Sequence, residues 1–129
     1  MTEFNLQRIN RSEVQILSLI GYMGNDEFSR VDRELSHLLE QGHLRVVLDL
    51  ASLSFATTMS LARLLVCARE FRRRGGELRM AGLSPFLSRL ALLAGFGRKH
   101  DLEADVPTAL KAIAQPRREK TNRPREKRR

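Results

Sequence analysis

The sequence predicts a single α/β domain in which helices pack against a mixed sheet of about four to five strands. Strand-like and helix-like segments alternate along most of the chain, as they do when helical crossovers join parallel strands. One segment, LRVVLDL at 44–50, is almost continuously apolar, which is typical of a strand covered on both faces. The length of 129 residues suffices for one domain with one core.

Two strands and a helix precede that apolar segment. Residues 3–9 alternate loosely, residues 14–20 are richer in aliphatics, and the short connection between them predicts an antiparallel hairpin. Asn25 or Asp26 is expected to cap the start of the first helix, and Gly42 to end it. The apolar face of this helix consists of Phe28, Val31, Leu35, Leu38 and Leu39.

Helices and strands continue to alternate after the apolar segment. A second helix ends at Gly75-Gly76, with three arginines in its last turn, and residues 77–81 form the next strand. Ser84-Pro85 predicts the start of a third helix that runs toward Gly95. A weak segment near Leu102 and a final helix from Pro107 complete the domain. Each of these three helices has an apolar face that is expected to pack on the core. The apolar residues are Leu61, Leu64, Leu65, Ala68 and Phe71 on the second helix, Leu87, Leu90 and Leu93 on the third, and Leu110 and Ile113 on the last.

The positive charge is concentrated at the carboxyl end. Residues 116–129 hold eight Lys/Arg and two Asp/Glu and so carry +6 of the net charge of +8. Because this segment has no aliphatic or aromatic side chain, we expect a domain over residues 1–115 and a disordered basic tail over 116–129. The tail is either an electrostatic arm for nucleic acid, an anionic surface or an acidic partner, or a solvated terminus. It lacks aromatics that could stack on bases, which weakens the nucleic-acid hypothesis.

Composition and spacing exclude several classes of function. No apolar run is long enough to cross a bilayer and residues 1–11 lack a signal-peptide core, so a cytoplasmic location is expected. Cys67 lies in an apolar run and is interpreted as a buried small hydrophobe rather than a reactive thiol. The three histidines are scattered, so we predict neither a metal site nor a bound cofactor. No phosphate loop, carboxylate pair or nucleophile–base pair indicates catalysis, and we predict that the protein is not an enzyme.

The turn after the apolar strand, SLSFATTMSL at 52–61, is the candidate functional site. Ligand and partner sites of open α/β sheets lie at the carboxyl ends of strands, and the helix that follows offers unpaired N–H groups. Thr57 or Thr58 can cap that helix, and a hydroxyl in this turn can also serve as a phosphoacceptor. Thr58, Thr57 and Ser60 are the candidates for phosphorylation.

The stretch VVLDLASLSFATTMSLARLLVCAREFRRRGGELRMAGLSP is similar to the signature region of STAS domains, the fold of bacterial anti-sigma factor antagonists. The matching features are the strand end Asp49-Leu50, Phe55 at the end of the loop, and Gly75-Gly76 before the next strand. Ile20-Gly21 and residues 106–110 also fit. The resemblance implies a non-enzymatic, partner-switching module of transcription regulation.

The motif that typical members use for switching is altered. In the family, Asp-Ser-Ser-Gly-Leu opens the helix, and these positions correspond here to Thr57, Thr58, Met59, Ser60 and Leu61. The second serine, which the anti-sigma kinase phosphorylates in the best-known members, corresponds to Met59, and Met59 cannot accept phosphate. Thr58 is the nearest hydroxyl. A threonine at this position resembles a divergent branch, the cytoplasmic subunit of a phospholipid-transport ABC complex.

Three partner classes follow from these observations. The resemblance implies an anti-sigma factor or a Ser/Thr kinase-like regulator, and the Thr58 position favours instead an ABC ATPase subunit. The basic tail suggests nucleic acid or an anionic surface as a third, weaker alternative. For the first class we expect the partner-binding residues to be Tyr22, Met23, Asn25, Phe55, Thr57, Thr58, Met59 and Ser60.

Overall fold

The computed structural model describes residues 3–11, 13–97 and 102–114, which form six strands and four helices. In chain order these elements are β1 (Asn5–Arg11), β2 (Val14–Met23), α1 (Asn25–Glu40), β3 (Arg45–Asp49), β4 (Leu53–Ala56), α2 (Thr58–Arg73), β5 (Glu77–Ala81), α3 (Pro85–Leu93), β6 (Leu102–Glu103) and α4 (Val106–Ala114).

The sheet is mixed, as the sequence predicts. Its strand order is β1-β2-β3-β5-β6, and β4 pairs with the carboxyl half of β2. β1 and β2 form the predicted antiparallel hairpin, whereas every other pair is parallel. The carboxyl ends of β2, β3, β4 and β5 therefore meet at one edge, which is where the candidate turn lies.

Apolar side chains cover both faces of the sheet. The larger cluster lies under α1, α2 and α3 and contains the fully buried Phe28, Leu64, Phe71 and Leu87. The smaller cluster lies under α4 and is formed by Val14, Ile16, Val47, Ala81, Ala109 and Ile113. Because Val46 and Val47 of β3 enter opposite clusters, this strand is buried on both faces, as its continuous apolar sequence predicts.

Several predicted boundaries are confirmed. β5 occupies residues 77–81, and Ser84 caps α3 by accepting a hydrogen bond from the Leu87 N–H over 3.1 Å. Gly42 follows the end of α1 with φ of +86°, a conformation that glycine adopts without the steric cost of a Cβ atom. These positions depend on local backbone chemistry, which the sequence displays directly.

Other details differ from the prediction. Gly24, rather than Asn25 or Asp26, is the N-cap of α1, and its N–H donates to Glu27 Oε1 over 2.9 Å. β4 is an additional strand inside the segment predicted as a turn. α3 ends at Leu93, whose side chain is exposed, and α4 begins one residue before Pro107. The basic tail predicted for residues 116–129 lies outside the described residues.

Candidate functional site

The turn between β4 and α2 is fastened to the end of β2. Tyr22 is in register with Phe55 and Met23 with Ala56. The Met23 carbonyl accepts hydrogen bonds from the Thr57 N–H over 3.2 Å and from the Ser60 hydroxyl over 3.1 Å. The residues predicted from two separate segments of the chain therefore meet at one sheet edge.

The three candidate hydroxyls have different surroundings. Thr57 is the N-cap of α2, and its Oγ1 accepts a hydrogen bond from the Ser60 N–H over 3.0 Å. The Ser60 side chain is completely buried, and its hydroxyl also contacts the Thr57 carbonyl oxygen over 2.9 Å. Thr58, the first residue of α2, is exposed. Of these three residues, Thr58 therefore presents its side chain most openly to another protein.

The electrostatic setting of Thr58 favours negative charge. The first turn of α2 contains no acidic residue, so no side-chain carboxylate from this turn offsets the positive end of the helix dipole. The first N–H groups of a helix also lack intrahelical partners and can donate to an anion. A phosphate on Thr58 would lie next to these groups.

An aromatic row lies beside the turn. The Tyr22 and Phe55 rings are stacked, with centroids 5.6 Å apart and planes 7° apart. Phe86, in the first turn of α3, extends the row with its centroid 6.1 Å from that of Phe55. Phe86 was not among the predicted site residues. Its position one residue before Leu87, outside the apolar face of α3, was the sequence signal that an aromatic ring would lie at the surface.

Met59 and Asn25, two further predicted site residues, are both exposed at the starts of helices. The Met59 side chain is 59% exposed, although methionine is usually buried, and it follows Thr58 directly on α2. Asn25 is exposed at the first position of α1. It follows Gly24, where an added Cβ atom would lie 3.1 Å from Cε2 of Tyr22, so the backbone passes close to the ring. Met23, in contrast, is completely buried and contributes its carbonyl oxygen rather than its side chain.

Cys67 lies away from this turn, in a shallow groove of about 200 Å³ between α1 and α2. Its side chain is half-buried, and Sγ lies 3.8 Å from Asp32 Oδ1. Burial, and secondarily the Asp32 carboxylate, raises the pKa of the Cys67 thiol to about 12. Because the thiolate is the nucleophile, this thiol is poorly suited to covalent chemistry near neutral pH.

The described part of the chain shows neither a metal-ligand cluster nor a membrane-spanning helix. Residues 3–11, 13–97 and 102–114 contain no group of three or more His, Cys, Asp or Glu side chains arranged to hold a metal ion. Within the same ranges, none of the helices combines the length and apolar character that a membrane span requires.

Comparison with solved structures identifies proteins of the same fold. An anti-sigma factor antagonist from Mycobacterium paratuberculosis superposes with a TM-score of 0.78 at 15% identity, over 88% of this chain and 96% of that one. The phosphorylated form of SpoIIAA, a cell fate determinant of Bacillus, superposes with a TM-score of 0.64 at 19% identity, over 86% and 99% of the two chains. At these identities, the similarity concerns the fold.

Sequence comparison identifies the family as well as the fold. BtrV from Bordetella bronchiseptica, which is named as an anti-sigma factor antagonist, is 30% identical over 81 residues, corresponding to 63% of this chain and 70% of BtrV. A family model described as "Mlab, STAS domain" matches residues 7–104. The predicted resemblance is thereby confirmed, and the chain belongs to the STAS domain family.

Proposed function

We propose that this protein is a non-enzymatic interaction module that binds an anti-sigma factor or a Ser/Thr kinase-like regulator through the turn between β4 and α2. The observation that carries the proposal is the stacked pair Tyr22 and Phe55 beside the exposed Met59 and Thr58. BtrV and the structural neighbours named for anti-sigma factor antagonism support this class of partner.

The physical basis of the proposed binding is a preorganised apolar surface. Aromatic side chains near the centre of an interface commonly contribute most of the binding free energy. The rings of Tyr22 and Phe55 are held by stacking and by strand pairing, so a partner that covers them has little side-chain entropy to remove. Met59 adds a flexible apolar side chain that can adapt to the partner surface.

Phosphorylation of Thr58 is the proposed means of regulation. The Ser60 hydroxyl is buried and hydrogen-bonded, and Thr57 uses its hydroxyl to cap α2, so both are less favourable phosphoacceptors than the exposed Thr58. A phosphate on Thr58 would place about two negative charges next to the exposed Met59, where they must be desolvated when a partner covers the turn. Phosphorylation is therefore expected to weaken binding.

A second candidate function is docking on the ATPase subunit of a phospholipid-transport ABC complex. The exposed hydroxyl at position 58 is a threonine, as in the divergent branch to which the sequence is similar, and the matching family model is described as Mlab. The same turn would form the contact, so the two candidate functions differ in partner rather than in site.

A tagged pull-down of the full chain, compared with Met59→Glu, tests the proposal. Mass spectrometry of the retained proteins and of the phosphorylated residues identifies the partner and the phosphoacceptor. Loss of an anti-sigma factor or kinase-like regulator in Met59→Glu supports the first function, and loss of an ATPase supports the second. Ile9→Glu, which changes an exposed apolar residue on β1, is the matched control. Equal retention by Met59→Glu and the control would contradict both.

A further inference from the structure

The exposed large hydrophobic side chains are concentrated on two neighbouring helices. Of the six found among the described residues, only Ile9 lies elsewhere. We call the surface that the other five form on these two helices the α2–α3 face: Met59, Val66, Phe86, Leu92 and Leu93, of which Val66 also borders the groove between α1 and α2.

Helix geometry aligns four of these five side chains in two pairs, one on each helix. Met59 and Val66 are seven residues apart on α2, as are Phe86 and Leu93 on α3, so each pair occupies one side of its helix, about two turns apart. α2 and α3 pack directly against each other. Because Phe86 also belongs to the aromatic row, the α2–α3 face is continuous with the turn of the proposed function.

The charge of this face differs from that of the neighbouring helix α1. α2 and α3 together contain five arginines and one acidic residue, Glu70, which forms salt bridges with Arg73 over 2.8 Å and Arg74 over 3.6 Å. α1 contains five acidic residues and two arginines. Exposed Arg69 and Arg89 lie on α2 and α3 themselves. The two helices that carry the α2–α3 face therefore combine exposed apolar side chains with an excess of arginine, including the exposed Arg69 and Arg89.

We propose that the α2–α3 face binds a protein partner whose apolar surface is bordered by aspartate and glutamate side chains. This inference rests on the proposed function, since the same partner would also cover the turn. Apolar side chains at its centre and arginines at its edge are the usual composition of a protein interface. Arginine also pairs with carboxylates in a bidentate geometry, so acidic side chains on the partner would give orientation as well as attraction.

Two other occupants fit the charge pattern less well. A symmetric contact between two copies would set Arg69 and Arg89 of both copies into one interface, where like charges repel. An anionic membrane could attract the arginines, but surface-bound helices bury a continuous apolar side in the lipid. α2 and α3 already direct Leu61, Leu64 and Leu87 into the protein core.

The test uses the partner identified by the pull-down, purified and titrated calorimetrically against the full chain. Leu93→Asp changes a side chain that is 78% exposed, and Ile9→Asp, at a side chain 50% exposed, is its matched control. We expect Leu93→Asp and the charge reversal Arg69→Glu/Arg89→Glu each to weaken binding about tenfold or more, as loss of interface anchors does. Arg11→Glu controls for net charge on β1.

A charge-reversing variant of the partner makes the test specific. Replacing its bordering Asp or Glu by Arg should weaken binding to the native chain and restore binding to Arg69→Glu/Arg89→Glu. Unchanged affinity in both variants of the α2–α3 face overturns this inference, and if Thr58→Glu still weakens binding, the proposed function stands. If instead Thr58→Glu is without effect while both variants of the α2–α3 face weaken binding, the turn is not part of the interface and the proposed function fails.

Two measurements examine the alternative occupants. Sedimentation with vesicles of phosphatidylglycerol and phosphatidylcholine reports membrane binding, and light scattering after size exclusion reports self-association. The inference is overturned if the native chain binds vesicles or dimerises, if Leu93→Asp abolishes that binding or dimerisation, and if Leu93→Asp binds the protein partner with unchanged affinity. Neither vesicle binding nor a dimer at the concentration used for the titration supports it. Circular dichroism and the unfolding midpoint establish that each variant is folded.

Discussion

The Tyr22 and Phe55 rings lie nearly parallel, 7° apart in plane and 5.6 Å apart in centroid, and they join the end of β2 to β4. Tyr22 precedes α1, and Phe55 precedes the capping residue of α2 by two positions. The two rings therefore lie beside the starts of both helices. This stacked pair belongs to the aromatic row, although 33 positions separate the two residues along the chain.

The first prediction concerns the energy of this pair. In a double-mutant cycle with Tyr22→Leu and Phe55→Leu, we expect a favourable coupling of about 0.5–1.5 kcal/mol in the free energy of unfolding, the range for stacked aromatic pairs. Urea unfolding measures it. A control cycle with Phe55→Leu and Phe71→Leu should be additive, because Phe71 lies 13 residues along α2 from Thr58, or about 20 Å. Additivity in the first cycle would show that the rings touch without stabilising the turn.

The second prediction places a negative charge at the exposed hydroxyl. Thr58→Glu should weaken binding to the identified partner about tenfold or more, because the carboxylate must be desolvated when the partner covers the turn. Titration calorimetry measures the dissociation constant. Ser29→Glu, at an exposed hydroxyl on α1, is the matched control and should leave it unchanged. Equal affinity of Thr58→Glu and the native chain would remove Thr58 from the interface and from the proposed regulation.

The third prediction separates capping from phosphorylation. Because Thr57 Oγ1 accepts the Ser60 N–H over 3.0 Å, Thr57→Ala should lower the free energy of unfolding by about 1 kcal/mol, the usual cost of losing an N-cap. Thr57→Ser retains the hydroxyl and should stay close to the native value. Urea denaturation of the three proteins tests this. Equal losses in both variants would indicate that the threonine methyl group, rather than the hydrogen bond, is important.

Strong local signals explain which parts of the structure the sequence predicts. Ser84-Pro85 begins α3, Gly42 follows α1, and the apolar strand at 44–50 is buried on both faces. Each depends on backbone chemistry or hydrophobic periodicity within a few residues. Tyr22 and Met23 were expected among the partner-binding residues together with Phe55, and the pairing of β2 with β4 places them beside the turn.

Features that depend on long-range contacts were missed. β4 has four residues, LSFA, too few to show a period, and it is a strand because it pairs with the end of β2. Asn25 has the better intrinsic capping side chain, yet Gly24 is the cap, and its N–H donates to Glu27 Oε1. The nearby Tyr22 ring leaves little space for a Cβ atom at that position. Phe86 of α3 contacts Phe55 of β4, two residues from separate elements, so no local pattern predicts their contact.

The fourth prediction follows from the thiol at Cys67. Its pKa in the folded protein is raised to about 12, mainly by burial and then by Asp32, above the ordinary value of 9.0. The unfolded chain therefore releases this proton at lower pH than the folded chain does. The stabilising contribution is complete below pH 9 and is lost progressively between pH 9 and about 12.

The comparison of native protein with Cys67→Ser isolates this contribution. Between pH 8 and 10.5, urea unfolding should show a steeper loss of stability for the native chain, since the serine does not ionise in this range. Alkylation by iodoacetamide at pH 8 should be slow, and Asp32→Asn should accelerate it by removing the neighbouring carboxylate. Parallel pH profiles of the native and Cys67→Ser proteins would contradict the raised pKa.

The fifth prediction concerns an ion triad on the α4 side of the sheet. The Arg79 guanidinium bridges two carboxylates, with Nη2 contacting Glu77 of the same strand and Nη1 contacting Glu103 of β6, each over 2.5 Å. The Glu77 side chain is nearly buried, and those of Arg79 and Glu103 are mostly so. Arg79 thus compensates two carboxylates that the fold brings together and ties the short edge strand β6 to β5.

Removal of this guanidinium should lower the free energy of unfolding more than the loss of the α2 cap in Thr57→Ala does. Arg79→Met retains much of the side-chain volume but leaves two nearby carboxylates without their cation, and we expect the free energy of unfolding to fall by about 3 kcal/mol or more. The triple variant Arg79→Met/Glu77→Gln/Glu103→Gln removes the uncompensated charges and should recover part of this loss. Urea unfolding at neutral pH compares the three proteins. A loss below about 1 kcal/mol in Arg79→Met would mean that the triad behaves as a solvent-screened surface pair. A large loss that the triple variant does not recover would assign the effect to packing rather than to charge.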